Sequence, residues 1–222
     1  MKTLRILTVD DHEMSMMGYK YILERVNFED FNIQLDTAKS FEEGKQKIDN
    51  SLSGFSYDIL FLDVMLATYE EPEAKNGEDL ALYARQKTSE SRIVFMSSFS
   101  DGYRVNSILS SVDPEGYLVK SDIDQFSLTA MVNTVMTQPP YYSKGTLAAI
   151  RKILANDLPL DHLDKEILHQ LSLGVKTKDM TQTVPLSLAG IENRKRHLKA
   201  LFHIDKQNDQ ALLFEVKKRG FI

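Results

Sequence analysis

Through the first 136 residues, short apolar runs alternate with amphipathic stretches, and this alternation restricts the possible folds more than any other feature of the chain. Leu4–Val9, Asn32–Asp36, Tyr57–Leu62, Arg92–Ser97 and Gly116–Val119 read as strands. Met14–Val26, Phe41–Asp49, Gly77–Lys87, Gly102–Ser110 and Asp124–Met136 read as helices. Strands that each hand over to a helix imply a parallel sheet covered on both faces. The runs LRILTV, YDILFL and RIVFMS are largely apolar, as doubly covered strands should be. The expectation is an α/β domain over 1–136 with a five-stranded, doubly wound parallel sheet.

Gln138, Pro139 and Pro140 end the pattern, because proline cannot continue a helix. Residues 137–156 read as a basic linker with one helix, and 157–222 as a small all-α domain. The apolar positions of that last stretch suggest helices near 161–173, 177–183, 187–202 and 206–219. Gly174 suits a helix end and Pro185 a break, while Thr177 and Ser187 suit N-caps. Charge divides along the same lines: the net is −10 over 1–136, +3 over 137–156 and +2 over 157–222. An acidic part joined to a mildly basic part suggests a different partner for each.

Composition removes several chemistries. With no cysteine, disulfides, thiol catalysis, iron–sulfur clusters and thiolate zinc sites are excluded. The five histidines show no metal-ligand spacing of the HExxH kind. The N-terminus meets acid within ten residues, unlike a signal peptide. No apolar run approaches the ~20 residues of a membrane span. A soluble, cytoplasmic protein without a membrane partner is expected.

In open parallel sheets, ligands bind at the carboxyl ends of the strands. Asp10 and Asp11 follow the first strand and Asp63 ends the third. Such clustered carboxylates repel unless a cation intervenes, and oxygen ligands alone suit Mg²⁺ or Mn²⁺. On their own they could be solvated acids on loops. Ser97 ends the fourth strand and Lys120 the fifth. Acids, a hydroxyl and an ammonium at neighbouring strand ends make a site for a phosphoryl group, whose oxygens metal and ammonium neutralise.

DD at 10–11, FLD at 61–63, VFMSS at 94–98 and GYLVK at 116–120 resemble the receiver domain of bacterial two-component response regulators, a flavodoxin-like fold. The resemblance spans roughly 1–136. It implies that Asp63 accepts phosphate from a sensor histidine kinase, and that Asp10, Asp11, Asp63 and the backbone carbonyl of Met65 hold Mg²⁺. It also implies that Ser97 and Lys120 bind the phosphoryl oxygens. Tyr117 matches the family's switch aromatic, which would swing inward on phosphorylation. The chain departs from the family twice. Ser121 follows Lys120 where proline is usual, and Thr68–Asn76 is an acidic insertion, either shaping access or a tolerated surface loop.

Residues 160–222 resemble the LuxR-type helix–turn–helix, with Glu166–Ile167–Leu168, Gly174, Ser187 and a recognition helix Leu188–Phe202 in order. Ile191, Leu198 and Phe202 would face inward. Glu192, Asn193, Arg196 and Lys199 are of types that read base edges, and Lys178, Arg194 and Lys195 could hold phosphates. Gly190 and Glu192 stand where the family has threonine and often lysine, and Glu192 could instead pair with Arg196 one turn on. The resulting expectation is a phosphorylation-controlled transcription regulator, not an enzyme, that binds promoter DNA as a homodimer on phosphorylation. The alternatives are a phosphorylated module whose last domain binds protein, and a haloacid-dehalogenase-like phosphatase. The latter family has DxD at its nucleophile, where this chain has Asp63–Val64–Met65.

Overall fold

The computed structural model describes residues 1–66, 75–98, 102–155, 158–219 and 221, Tyr103 by its backbone alone. All but the last two residues of the expected 68–76 insertion lie outside the described residues. The chain forms two compact units, one of Met1–Phe99 with Ile108–Leu147, the other of Ser100–Ser107 with Ala148–Ile222.

The first unit is built on β1 (Lys2–Val9), β2 (Phe31–Ala38), β3 (Ile59–Leu62), β4 (Arg92–Ser97), β5 (Gly116–Val119) and β6 (Tyr141–Tyr142). Their order is β2-β1-β3-β4-β5-β6, and every neighbouring pair is parallel. The intervening helices are α1 (Glu13–Leu23), α2 (Phe41–Ser51), α3 (Gly77–Lys87), α4 (Gly102–Val112) and α5 (Gln125–Thr137). β3 and β5 are buried at every position, which is why they are short and wholly apolar apart from a glycine and a tyrosine. Leu128, Met131, Val132 and Val135 recur at helical spacing along α5 and pack with Leu4, Ile6, Phe61 and Met96 in one core.

The sheet has six strands, one more than expected. β6 lies within the stretch read as linker, too short to show a periodicity. Pro139 and Pro140 stop α5, and the two tyrosines that follow are good strand formers. They pair with Gly116 and Tyr117, and the Tyr141 N–H donates to the Glu115 carbonyl at 2.9 Å. A Cβ on Gly116 would sit 3.2 Å from the Tyr141 carbonyl oxygen, so glycine eases this close approach.

α6 (Lys144–Leu154) follows, and the division between the units falls within it, after Leu147. The second unit continues with α7 (His162–Ser172), α8 (Leu188–Leu201) and α9 (Asp209–Arg219). Ile167, Leu168 and Leu171 of α7 pack with Ile191 and Leu198 of α8 and Leu212 and Val216 of α9. The helix expected at 177–183 is reduced to a 3₁₀ turn, Met180–Gln182. Residues 176–184 hold three threonines and an aspartate, which compete for backbone hydrogen bonds, and Pro185 ends the run. Thr177 is accordingly no N-cap, whereas Ser187 Oγ does accept from the Gly190 N–H at 3.2 Å.

Candidate functional site

The carboxyl ends of β1, β3, β4 and β5 converge. Asp10 is 1% exposed and Asp63 5%, and both face the Lys120 ammonium. Lys120 Nζ lies 2.9 Å from Asp63 Oδ2 and 2.8 Å from Asp10 Oδ2. The contact with Asp10 is an ion pair off the direction of a good hydrogen bond, so Asp10 Oδ2 is buried without a well-aligned donor. Ser97, fully buried, ends β4 as the register partner of Val119, the residue before Lys120. Met65, half-buried, lies two residues beyond Asp63.

The electrostatics follow from this crowding. Burial pushes the Asp63 carboxyl above the usual range; Lys120 pulls it back, and the charges of Asp10 and Asp11 add to the rise. Burial opposes the charge on Lys120, but Asp10 and Asp63 outweigh it and hold its pKa above the ordinary lysine value. Tyr19, buried on α1, is likewise pushed up by burial and then by Asp10 and Asp63, which keeps its phenol neutral.

Two residues enter the site that the motifs did not single out. His12 donates its backbone N–H to Asp10 Oδ1 at 2.9 Å, and its Nδ1 lies 2.6 Å from Asp11 Oδ1. One ligand atom from each of Asp10, Asp11, His12 and Asp63 falls within 4.8 Å of the others. Its position directly after the aspartate pair was the available signal. Gly77 opens α3 and donates its N–H to the Val64 carbonyl at 3.1 Å. A Cβ there would lie 1.8 Å from the Asp63 carbonyl oxygen, so any side chain would force the Asp63 loop to move.

The resemblance implies that Tyr117 swings inward on phosphorylation. In this structure the ring is already inside, 0% exposed and 6.1 Å from the Phe95 ring. β5 lies between β4 and β6, and the Tyr117 carbonyl accepts from the Ser143 N–H at 3.0 Å and the Thr146 hydroxyl at 2.9 Å.

In the second unit the residues expected at DNA divide into two groups. Lys178, Glu192, Asn193 and Arg196 are exposed, as is His197 beside them. The other three are engaged inside the unit. Arg194 reaches Asp161 and Asp164 at 2.7 and 2.8 Å. Lys195, 5% exposed, donates to Thr177 Oγ1 and lies 2.7 Å from Asp209. Lys199 lies 2.9 Å from the same aspartate. Glu192 lies 3.8 Å from Lys195 Nζ, a pairing expected instead with Arg196. The three basic side chains thus brace α8 against its neighbours.

No family model matches the chain. It is 22% identical over 200 residues to the transcriptional regulatory protein MctR of Rhizobium johnstonii, covering 88% of this chain and 86% of that one. It is 23% identical over 233 aligned positions to the oxygen regulatory protein NreC of Staphylococcus epidermidis, covering 97% and 98%. Among solved structures it resembles RcsB of Salmonella enterica serovar Typhimurium bound to a promoter with a phosphomimetic, with TM-score 0.63, 18% identity and coverage of 96% and 97%. Among the described residues no helix is long and apolar enough to cross a membrane.

Proposed function

We infer that the chain is a response regulator, a receiver domain joined to a LuxR-type helix–turn–helix domain, and that phosphorylation of Asp63 controls its binding to promoter DNA. The observation that carries the reading is the Lys120 ammonium set between two buried carboxylates, Asp63 and Asp10. In the transfer, one Asp63 oxygen forms a bond to phosphorus as the bond to the donor's imidazole nitrogen breaks. Lys120 offsets the negative charge that arrives, and the Ser97 hydroxyl lies at the same end of the sheet to donate to a phosphoryl oxygen.

The donor set suits a hard divalent cation. Three carboxylates converge, and a buried oxygen of Asp10 lacks a well-aligned donor. Asp10, Asp11, Asp63 and the carbonyl of Met65 would hold Mg²⁺ or Mn²⁺, which would neutralise phosphoryl oxygens when bound. The phosphodonor is a sensor histidine kinase. Met14, Met17 and Tyr21, 85, 52 and 60% exposed, follow Asp11 along one side of α1 and offer a protein donor an apolar surface next to the site.

Glu192, Asn193 and Arg196 on α8 read bases, with Lys178 on phosphate. Phosphorylation raises dimer formation, and the dimer binds paired half-sites. RcsB, one of the solved structures it resembles, is bound to its promoter in the presence of trifluoroberyllate, and another RcsB structure holds two dimers on DNA. The test is phosphorylation with acetyl phosphate and Mg²⁺, followed by light scattering and a DNA titration. Wild type should take up phosphate, gain mass and bind DNA more tightly, while Asp63→Asn should do none of these. Full labelling of Asp63→Asn would overturn the assignment. Unchanged mass and affinity on labelling of wild type would overturn control by phosphorylation.

A further inference from the structure

The residues on either side of Lys120 are held by the start of the linker. Val119, just before it, donates its N–H to Ser143 Oγ at 3.1 Å. Asp122, two residues after it, accepts through one carboxylate oxygen from the Ser143 hydroxyl at 2.8 Å and the Gly145 N–H at 2.6 Å. Ser143 and Thr146 are buried, at 4% and 0% exposure, and both bond the Tyr117 carbonyl. Ser143 immediately precedes α6, so its hydroxyl and the Asp122 carboxylate lie at that helix's N-terminus, where N–H groups lack helical partners and negative charge is favoured.

Chemically this is a closed set. The Ser143 hydroxyl hydrogen goes to Asp122 and a lone pair takes the Val119 N–H. Thr146 gives its hydroxyl hydrogen to Tyr117. Gly145 must be small, since a Cβ there would lie 2.8 Å from Asp122 Oδ2 and 3.0 Å from Val119 Cγ2. The segment 117–122 therefore cannot shift without either dragging residues 143–146 along or leaving buried polar groups unpaired, which is costly. The same segment carries Lys120, bonded to Asp63.

Resting on the phosphoacceptor reading of Asp63, we propose that Asp122, Ser143, Gly145 and Thr146 form a latch that positions Lys120 and passes its displacement directly to the first turn of α6. The linker then responds to the phosphoryl group through backbone held at β5, without requiring the Tyr117 ring to move. Tyr117 acts here through its carbonyl. Asp122 and Ser143 are positioning residues: they touch neither the phosphoryl group nor the carboxylates that receive it.

The test uses the full chain with Mg²⁺ and trifluoroberyllate as the phosphoryl mimic. Binding is read by the ¹⁹F signal of the bound mimic, and the latch by amide hydrogen exchange at Val119 and at 143–146. In wild type, exchange at Val119 and at Gly145 should change together, by at least about fivefold and in the same sense. Gly145→Ala wedges the latch while keeping every hydrogen-bonding group, and Ser143→Ala removes its central hydroxyl. Both variants should bind the mimic, lose the change at 144–146 and lose at least about threefold of the mimic-induced gain in DNA affinity, while Gly145→Ala, which leaves the Val119–Ser143 bond in place, keeps the change at Val119. A bound ¹⁹F signal with exchange altered at Val119 but not at 143–146 in wild type overturns the latch alone. So does a variant that binds the mimic and retains the full DNA gain. Absence of any bound signal in wild type overturns the phosphoacceptor reading, and the latch's role with it.

Discussion

Asp63 works at a cost to the fold. Its pKa is raised above the unfolded value, chiefly by burial, so its ionised form is less at home in the folded protein than in water. The cost is absent below the unfolded carboxylate pKa, appears as pH rises through the folded one, and is complete above it. In metal-free buffer Asp63→Asn should therefore be more stable than wild type at pH 7, an advantage that shrinks toward pH 3. Denaturant midpoints at the two pH values check this, and a variant less stable at pH 7 would refute it. His203 stores strain of another kind. It takes φ +60°, and the Ile204 N–H turns back to the Lys199 carbonyl at 2.8 Å, closing α8 as the Val175 N–H closes α7 on Gln170. At the end of α7 the left-handed residue is Gly174, φ +78°; at the end of α8 it is an exposed imidazole. His203→Gly should stabilise the chain by about 0.5–1 kcal/mol, the left-handed penalty less the extra entropy glycine loses on folding. Urea melts read the difference, and destabilisation would show that the imidazole makes contacts worth more than the strain.

α8, the proposed recognition helix, shows how far its sequence was legible. Ile191, Leu198 and Phe202 are buried as their spacing required. Lys195 sits four residues after Ile191, on the same stripe, and the same spacing should have placed it inside. Its charge suggested DNA instead, because the partner that makes burial tolerable, Asp209, comes from α9 and no local pattern reveals it. Burial alone would push Asp209 up, yet Lys195 and Lys199 outweigh it and hold its carboxyl below the usual range. Lys195→Ala should accordingly destabilise the helical unit by about 1–2 kcal/mol, since it removes a buried stem and its hydrogen bond to Thr177 while Asp209, partly exposed, keeps Lys199. Arg196→Ala should leave the melting curve unchanged and cost about 1–3 kcal/mol at the preferred DNA site. Thermal melts beside a DNA titration separate the two, and equal effects of both variants on both measurements would mean that the division of roles is wrong. At the proposed phosphoryl site, four strand ends were legible because fully buried strands are apolar and end abruptly in polar residues. Gly77 was not, since only the structure shows the Asp63 carbonyl against it.

At the scale of the molecule, the sheet does not stop where the amphipathic pattern stops. β6 covers what would otherwise be the open edge of β5, and the linker takes up the Glu115 and Tyr117 carbonyls and the Val119 N–H. Two residues are enough, because a short last strand gives a further chain little to pair with. Pro139 and Pro140 end the helical pattern and the charge shifts at the same place, which together made residue 136 look like a boundary. A receiver fragment cut there would expose a row of unsatisfied donors and acceptors on a strand otherwise buried, a template for pairing with its own copies. Fragment 1–136 should self-associate at concentrations where fragment 1–155 stays monomeric, as sedimentation velocity would reveal. Monomeric behaviour of the shorter fragment would show that β5 needs no cover. The stretch that leads out of the first unit thus also serves that unit's solubility, so that shortening or loosening it would be punished by aggregation as well as by any loss of signalling.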